Sequence, residues 1–444
     1  MNTLKVETVK FASIKGVDKN GAVFYWNDGV YRAIPAEKEQ VYRTLLENNN
    51  FSKLYDLGLV ETEIADIKLE GYPLVLKHKK ISTVSYVTEW SGNMLKDAAL
   101  LTLNINEALR EFGMELQDAH PWNILFEGGR PVFIDFGSII PLRATNQWKS
   151  AQEFIGMFYY PLRLMSFDLP RQARSLMLNW VTLRGKQITK FELLKILLKK
   201  RKFSPFFKTI IGSAPSTKQD RVNIIEALRQ IISSIEIPLS KSSWSDYCDE
   251  EVDLTTIEDW MVKRRTAYEV ILRCKPKTVL DIGSNTGWFS KLAAQHGAVV
   301  TAFDLDETSI NKLYLNIKNT GIPILPLSMN FTKPTPAYGI GLRCQPAIER
   351  YKAELVFGLA IMHHLVFKQK IGFEESINKF KAFTEKWLLV EFIPKEDKYV
   401  SQWYNETYSW YTLDNFVLEL KQHFRYVEVL PSNPDPRVII FCEV

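Results

Sequence analysis

In the second half of the chain, short apolar runs alternate with amphipathic stretches. This pattern predicts strands buried on both faces, with helices packed over them. Thr278 to Ser290 reads TVLDIGSNTGWFS: an apolar strand, a glycine-rich turn and the start of a helix. A second apolar strand, Thr301 to Phe303, ends in Asp304, and the segment PLSMNF, which contains Asn330, closes a third. Leu355 to Leu365 reads as a fourth strand with His363 and His364 at its exit, and Trp387 to Pro394 as a fifth. Tyr426 to Leu430 and Arg437 to Val444 predict two more strands across a loop of Pro, Asn and Asp. Thr256 to Arg273 predicts an amphipathic helix leading into the first strand.

The first half reads differently. Val23 to Trp26 and Val30 to Ile34 flank Asn27-Asp28-Gly29, a hairpin turn. Ala36 to Glu47 predicts a helix, and Tyr86 to Trp90 a strand running into a hinge. Leu95, Ala98, Ile105, Leu109 and Phe112 share one face of a helix that Gly113 stops. Pro131 to Ile134 predicts a strand after a turn at Gly128-Gly129, and Thr145 to Pro238 is helix-rich. The polar run Ser240 to Glu251 marks a boundary, giving domains 1–245 and 246–444.

A length of 444 residues fits two domains, and 46% hydrophobic residues fit packed globular ones. A net charge of +5 supports no global nucleic-acid interaction, and none is expected. The four cysteines form no C-x-x-C pair, which points to a reducing compartment. The N-terminal run lacks a signal-like apolar core, and no apolar run approaches the roughly 18 residues of a spanning helix. A cytoplasmic location is expected. The basic, leucine-rich stretch Leu193 to Lys208 is compatible with an anionic membrane surface, an acidic acceptor or a merely solvated face.

The glycine turn is D-I-G-S-N-T-G, not G-x-G-x-x-G. Asp281 stands where a dinucleotide's pyrophosphate would be repelled, and it suits a ligand with a positive end. From Thr278 to Asp304 the pattern resembles motif I of the class I S-adenosylmethionine-dependent methyltransferases, and the likeness extends over Thr256 to Val444. The resemblance implies a Rossmann-like seven-stranded α/β sheet with S-adenosylmethionine as cofactor. Asp281, Gly283 and Gly287 would hold the methionine end, Asp304 the ribose and Asn330 the adenine, with Asn285 also among the cofactor-binding residues. One of His363 and His364 is then the leading base, because neutral imidazole is matched to pH near 7. Glu391 is the alternative base or acceptor anchor. No Asp/Asn-Pro-Pro-aromatic motif follows the fourth strand, which favours an oxygen acceptor. The histidines have no metal-ligand spacing, and no zinc is expected.

In the first half, Asp118 and Asn123 have D-x-x-x-x-N spacing, and Asp135-Phe136-Gly137 follows an apolar strand. This resembles the protein-kinase and aminoglycoside-phosphotransferase superfamily, an α+β two-lobe fold. By that resemblance Asp118 would receive the acceptor proton, while Asn123 and Asp135 would hold magnesium on ATP. No glycine-rich loop precedes them, and Arg32 stands where a phosphate-binding lysine is expected; Lys77, Lys79 and Lys80 are alternatives. Three readings stay open: an active phosphotransferase, a pseudokinase that binds or presents the acceptor, and an architectural lobe. Through Tyr86 to Leu109, the kinase-like loop and Gly283 to Asp306, most of the chain resembles bacterial two-part proteins, some of them nodulation-related, in which a kinase-like region precedes a methyltransferase. The acceptor could be a glycan, a small molecule or another natural product, and the oligomeric state is not indicated.

Overall fold

The computed structural model describes residues 2–12, 19–182, 220–239 and 251–444. The basic stretch Leu193 to Lys208 and most of Ser240 to Glu251 lie outside them. Two compact units emerge: Met1–Thr88 with Gly92–Pro238, and Glu89–Ser91 with Leu239–Val444.

The first unit contains a five-stranded antiparallel sheet in the order Lys10–Phe11, Ala22–Trp26, Gly29–Ile34, Leu74–His78, Thr62–Ile64. Asn27 and Asp28 both have positive φ, at 43° and 63°, as a two-residue hairpin turn requires. The helix Ala36–Glu47 follows. The helix Gly92–Ala108 tightens into a 3-10 turn, Leu109–Phe112, and ends at Gly113 with φ of 67°. Ile124–Glu127 and Arg130–Phe133 form a second hairpin. The strand expected over Tyr86 to Trp90 is instead a 3-10 turn at Val87–Glu89. Its buried apolar residues, Val87 and Trp90, are three apart, the spacing of a helical turn rather than of a strand.

The second unit is built on a seven-stranded sheet. Its order is Ile324–Ser328, Val299–Asp304, Thr278–Ile282, Ala353–Gly358, Thr384–Phe392, Val438–Glu443, Tyr426–Pro431. The first five strands of that order are parallel, and Val438–Glu443 is antiparallel to both its neighbours. In chain order within the unit this is 3-2-1-4-5-7-6, with the reversal of winding between Thr278–Ile282 and Ala353–Gly358. The core beneath it joins Val279, Val300, Leu355, Phe357 and Leu389 to helix residues such as Ala267, Leu292 and Leu313. The expected helix over Thr256 to Arg273 divides into a 3-10 stretch, Leu254–Asp259, and a helix, Val262–Cys274.

The expected fourth strand is shorter than its apolar run. It ends at Gly358, Ala360 takes a left-handed φ of 55°, and a helix occupies Met362–Gln369. His363 and His364 therefore sit in the first turn of that helix, not on the strand. Met362, Leu365 and Val366 are buried at helical spacing, which explains the switch of period.

Candidate functional site

Ligands of open α/β sheets bind outside the carboxyl ends of the strands, where the winding reverses. A cavity of about 520 Å³ lies at that edge of the second unit. Each of the five parallel strands delivers wall residues from its carboxyl end: Gly283 and Asn285, Asp304 and Leu305, Met329 to Phe331, Leu359 to Ile361, and Ile393.

The glycine turn is pinned to the second strand. The N–H groups of Gly283 and Ser284 donate to the Phe303 carbonyl at 2.9 and 3.2 Å. Gly283 has φ of 73°, and a Cβ there would meet only Ile361 Cδ1 at 3.7 Å, so its backbone faces open space. Gly287 has φ of 80°, and a Cβ there would come within 2.6 Å of Leu313 Cδ1. Gly283 thus serves approach to a ligand and Gly287 serves helix packing. Gly287 is not on the cavity wall.

Asp281 is also off the wall. It is buried in the first strand, and its Oδ2 accepts from Ser290 Oγ at 2.6 Å. Burial pushes its carboxyl up to about 6; the Ser290 hydrogen bond opposes the shift and Asp304 adds to it. Direct contact of Asp281 with a ligand's positive end is not what this geometry provides; it braces the turn through the helix that follows.

Asp304 does line the cavity. Its Oδ2 accepts the Asn285 N–H at 2.9 Å and its Oδ1 the Asp306 N–H at 2.8 Å. Burial raises its pKa, against the lowering effect of these backbone donors. A carboxylate offers about four acceptor positions, so both oxygens keep capacity toward the cavity. Asn330 Oδ1 accepts from the Thr332 N–H and Oγ1, each at 2.9 Å. That orients the amide so that its NH₂ is the group left for a ligand, whereas a carboxylate would only accept.

His363 and His364 both line the cavity, with ring centroids 4.1 Å apart. The His363 ring lies parallel to Trp403, at 5.9 Å and 7°. Burial drives the His363 pKa down to about 2, aided by His364, Arg437 and Lys263. Burial and then Lys368 lower that of His364. Arg437, also on the wall, donates from Nε and Nη2 to Asp397 Oδ2 at 2.9 and 2.7 Å. Glu391, by contrast, is fully buried within its strand and off the wall. Its carboxylate takes Lys263 Nζ at 2.6 Å and Ser432 Oγ at 3.2 Å. Its charge is committed to Lys263, a correction to its reading as a base or anchor.

In the first unit, Asp118, Asn123 and Asp135 gather around residues 134–138. The Asp118 N–H donates to Ser138 Oγ at 3.0 Å, the Ser138 N–H to the Asp135 carbonyl at 3.0 Å, and the Ile134 N–H to the Asn123 carbonyl at 2.8 Å. Arg32 does not wait for a phosphate. Its Nη2 donates to Asp135 Oδ1 at 2.7 Å and its Nη1 to the Gly21 carbonyl at 3.2 Å. A Cβ on Gly137 would fall 2.0 Å from Arg32 Nη1, so this glycine makes room for the guanidinium. Lys77 pairs with Glu63 at 2.9 Å and Lys79 with Glu127 at 3.0 Å. Among the described residues, no group of three or more His, Cys, Asp or Glu side chains is placed to hold a metal, and no helix is long and apolar enough to cross a membrane.

Sequence reasoning missed Arg437, Asp397, Trp403 and Tyr399. The last two lie in the aromatic run after the fifth strand, whose position at a carboxyl end was the available signal.

No family model matches the chain. Nodulation protein NoeA of Rhizobium meliloti (strain 1021) is 28% identical over 445 residues, spanning 92% of this chain and 91% of that protein. Among solved structures, monomeric WbdD is 17% identical over 45% of this chain, with a TM-score of 0.32. Only 43% of WbdD's own length is covered. Magnesium protoporphyrin IX methyltransferase (ChlM) of Synechocystis PCC 6803 is 14% identical over 44% of this chain and 86% of its own, with a TM-score of 0.31.

Proposed function

We propose that the second unit is an S-adenosylmethionine-dependent methyltransferase acting on an oxygen of a small molecule, glycan or natural product. The observation that carries this reading is Asp304: a carboxylate fixed by two backbone N–H groups, with acceptor capacity left, beside the open backbone of Gly283. That pair suits a ribose diol and the chain beyond it. Asn330 would donate its amide to an adenine ring nitrogen. When bound, the cofactor supplies an electrophilic methyl group, which an acceptor oxygen attacks in line while the carbon–sulfur bond breaks. The chain's part is to align that oxygen and take its proton, for which His363 and His364 stand in the same cavity. The test is calorimetric binding of S-adenosylhomocysteine to the whole chain. Binding that Gly283→Arg abolishes supports the reading; a failure of the unmodified, folded chain to bind overturns it.

For the first unit, the Arg32–Asp135 ion pair favours the reading as a module that binds or presents the acceptor without phosphoryl transfer. A guanidinium in contact with the carboxylate that magnesium needs competes with the metal for it. Calorimetry with ATP and magnesium should show no magnesium-dependent binding. Magnesium-dependent ATP turnover lost in Asp135→Ala would restore the phosphotransferase reading.

A further inference from the structure

The mouth of the cavity carries opposite charge on its two sides. Four wall residues are exposed: Gly283 and Leu305 on the side of the glycine turn, Gln369 and Tyr399 on the side of the fourth and fifth strands. Leu305 lies between Asp304 and Asp306, with Glu307 next, so the first side is acidic. Gln369 lies between Lys368 and Lys370, and Tyr399 follows Lys398.

The lysines are held at this rim by aromatic rings. Lys368 Nζ sits 3.9 Å from the ring centre of Trp403, and Lys398 Nζ 4.8 Å from that of Tyr399, both rings belonging to the wall. Lys395 Nζ sits 5.1 Å over Tyr404, and Lys370 Nζ donates to the Tyr408 hydroxyl at 2.5 Å. An aromatic face orients an ammonium without neutralising it. Among the described residues, none of these four lysines is ion-paired with a carboxylate. The acids of the same loop are Glu396 and Glu406, both exposed, and Asp397, whose carboxylate is bonded to Arg437. Four lysines against two uncommitted acids leave this side positive.

We propose, resting on the methyltransferase reading, that the acceptor carries an oxyanion, a carboxylate or a phosphate, which Lys368 and Lys398 receive at the Gln369–Tyr399 side of the mouth. A cleft that joins low-dielectric walls to charge of one sign concentrates ligands of the other sign. The acidic side repels the same group, so the two sides together fix the direction in which the acceptor enters. A cofactor with a positive end is received on the acidic side, and the two ligands are sorted by charge.

The test uses the whole chain carrying 5-fluorotryptophan, with the Trp403 signal assigned by Trp403→Phe. The chain, with and without S-adenosylhomocysteine, is titrated at low salt with benzoate, phenyl phosphate and the neutral isostere benzamide. An anion should move the Trp403 signal and bind tighter than benzamide by roughly 5-fold per lysine, the worth of a unit charge at 4 Å in water. The preference should shrink in about 0.5 M salt. Lys368→Gln combined with Lys398→Gln should remove it and leave S-adenosylhomocysteine affinity in place. The tighter of the two anions tells a carboxylate from a phosphate. Benzamide that binds as tightly as both anions, an anion preference that survives in the double variant, or no anion binding at Trp403 overturns the proposal. Failure of S-adenosylhomocysteine to bind is a separate result that strikes the methyltransferase reading, and the charge preference is still read in the ligand-free chain.

Discussion

Gly283 and Gly287 sit four residues apart in one turn, share a left-handed backbone, and should respond to the same substitution in opposite ways. Alanine at either position keeps φ positive, at 73° or 80°, and so costs roughly 1–2 kcal/mol of backbone strain. At Gly287 the new Cβ also meets Leu313 Cδ1 at 2.6 Å and Cδ2 at 2.8 Å. Leu313 is fully buried, so it yields only by repacking, which costs about 1–3 kcal/mol more. At Gly283 the Cβ meets Ile361 Cδ1 at 3.7 Å, an ordinary contact, so the strain stands alone.

Gly287→Ala should therefore lose about 2–5 kcal/mol of stability and Gly283→Ala about 1–2. Thermal denaturation followed by circular dichroism reads this as a melting temperature lower by roughly 2–4 °C per kcal/mol for a unit of this size. Binding should invert the order. The Gly283 Cβ stands in the cavity wall where a ligand approaches, and an intrusion of 1–3 kcal/mol there weakens S-adenosylhomocysteine by roughly 5- to 150-fold. Gly287→Ala, measured below its melting temperature, should bind within a few-fold of the parent chain. The reasoning is refuted if Gly287→Ala melts no lower than Gly283→Ala. It is refuted equally if Gly283→Ala binds the ligand like the parent.

Three further outcomes are expected. Asp281 has a folded pKa near 6 against an unfolded value of 3.8, so the stability tied to its neutral form is complete below about 4 and lost as pH rises through 6. Asp281→Asn should gain on the parent by on the order of 2–3 kcal/mol between pH 4 and pH 8, and parallel pH–stability curves would exclude this. Glu391→Gln should cost about 3–5 kcal/mol by leaving Lys263 unpaired, while Lys263→Met combined with Glu391→Leu recovers most of it; equal losses in both would remove the ion pair as the cause. Arg32→Met should show magnesium binding at Asp135 by calorimetry where the parent should show none, and no difference between the two would count against Arg32 as the blocking group.

Much of this was legible in the chain because the buried parallel strands write themselves as short apolar runs, from Val279–Ile282 to Leu388–Val390. Asp304 was legible because it ends one of them. The misplacement of His363 and His364 came from a run, LVFGLAIMHHL, that is apolar throughout while its backbone changes from strand to helix. The strand stops at Gly358, the one local cue in the run, and the left-handed turn falls at Ala360, a residue with no turn signature. The roles of charged groups were hidden for another reason. Glu391 finds Lys263 128 positions away, Arg437 finds Asp397 at 40, and Arg32 finds Asp135 at 103. Periodicity carries no trace of such pairings, although they decide whether a carboxylate is available for chemistry.

That availability separates the two candidate centres more sharply than their motifs do. Asp304 is held by backbone N–H groups, which orient it without a counter-charge and leave its oxygens able to accept more. Asp135 is held by a guanidinium that is itself 5% exposed, so displacing it would strand a cation away from water. A divalent ion entering there must overcome both that loss and the attraction it replaces. At Asp304 the partners are backbone N–H groups, so a hydroxyl approaching it has no cation to displace. The same comparison leaves Asp281 on Ser290, Glu391 on Lys263 and Asp397 on Arg437, with Asp304 as the carboxylate on the cavity wall. Cavity access and spare acceptor capacity thus coincide at Asp304, whereas Asp135 of the first unit is tied to a cation.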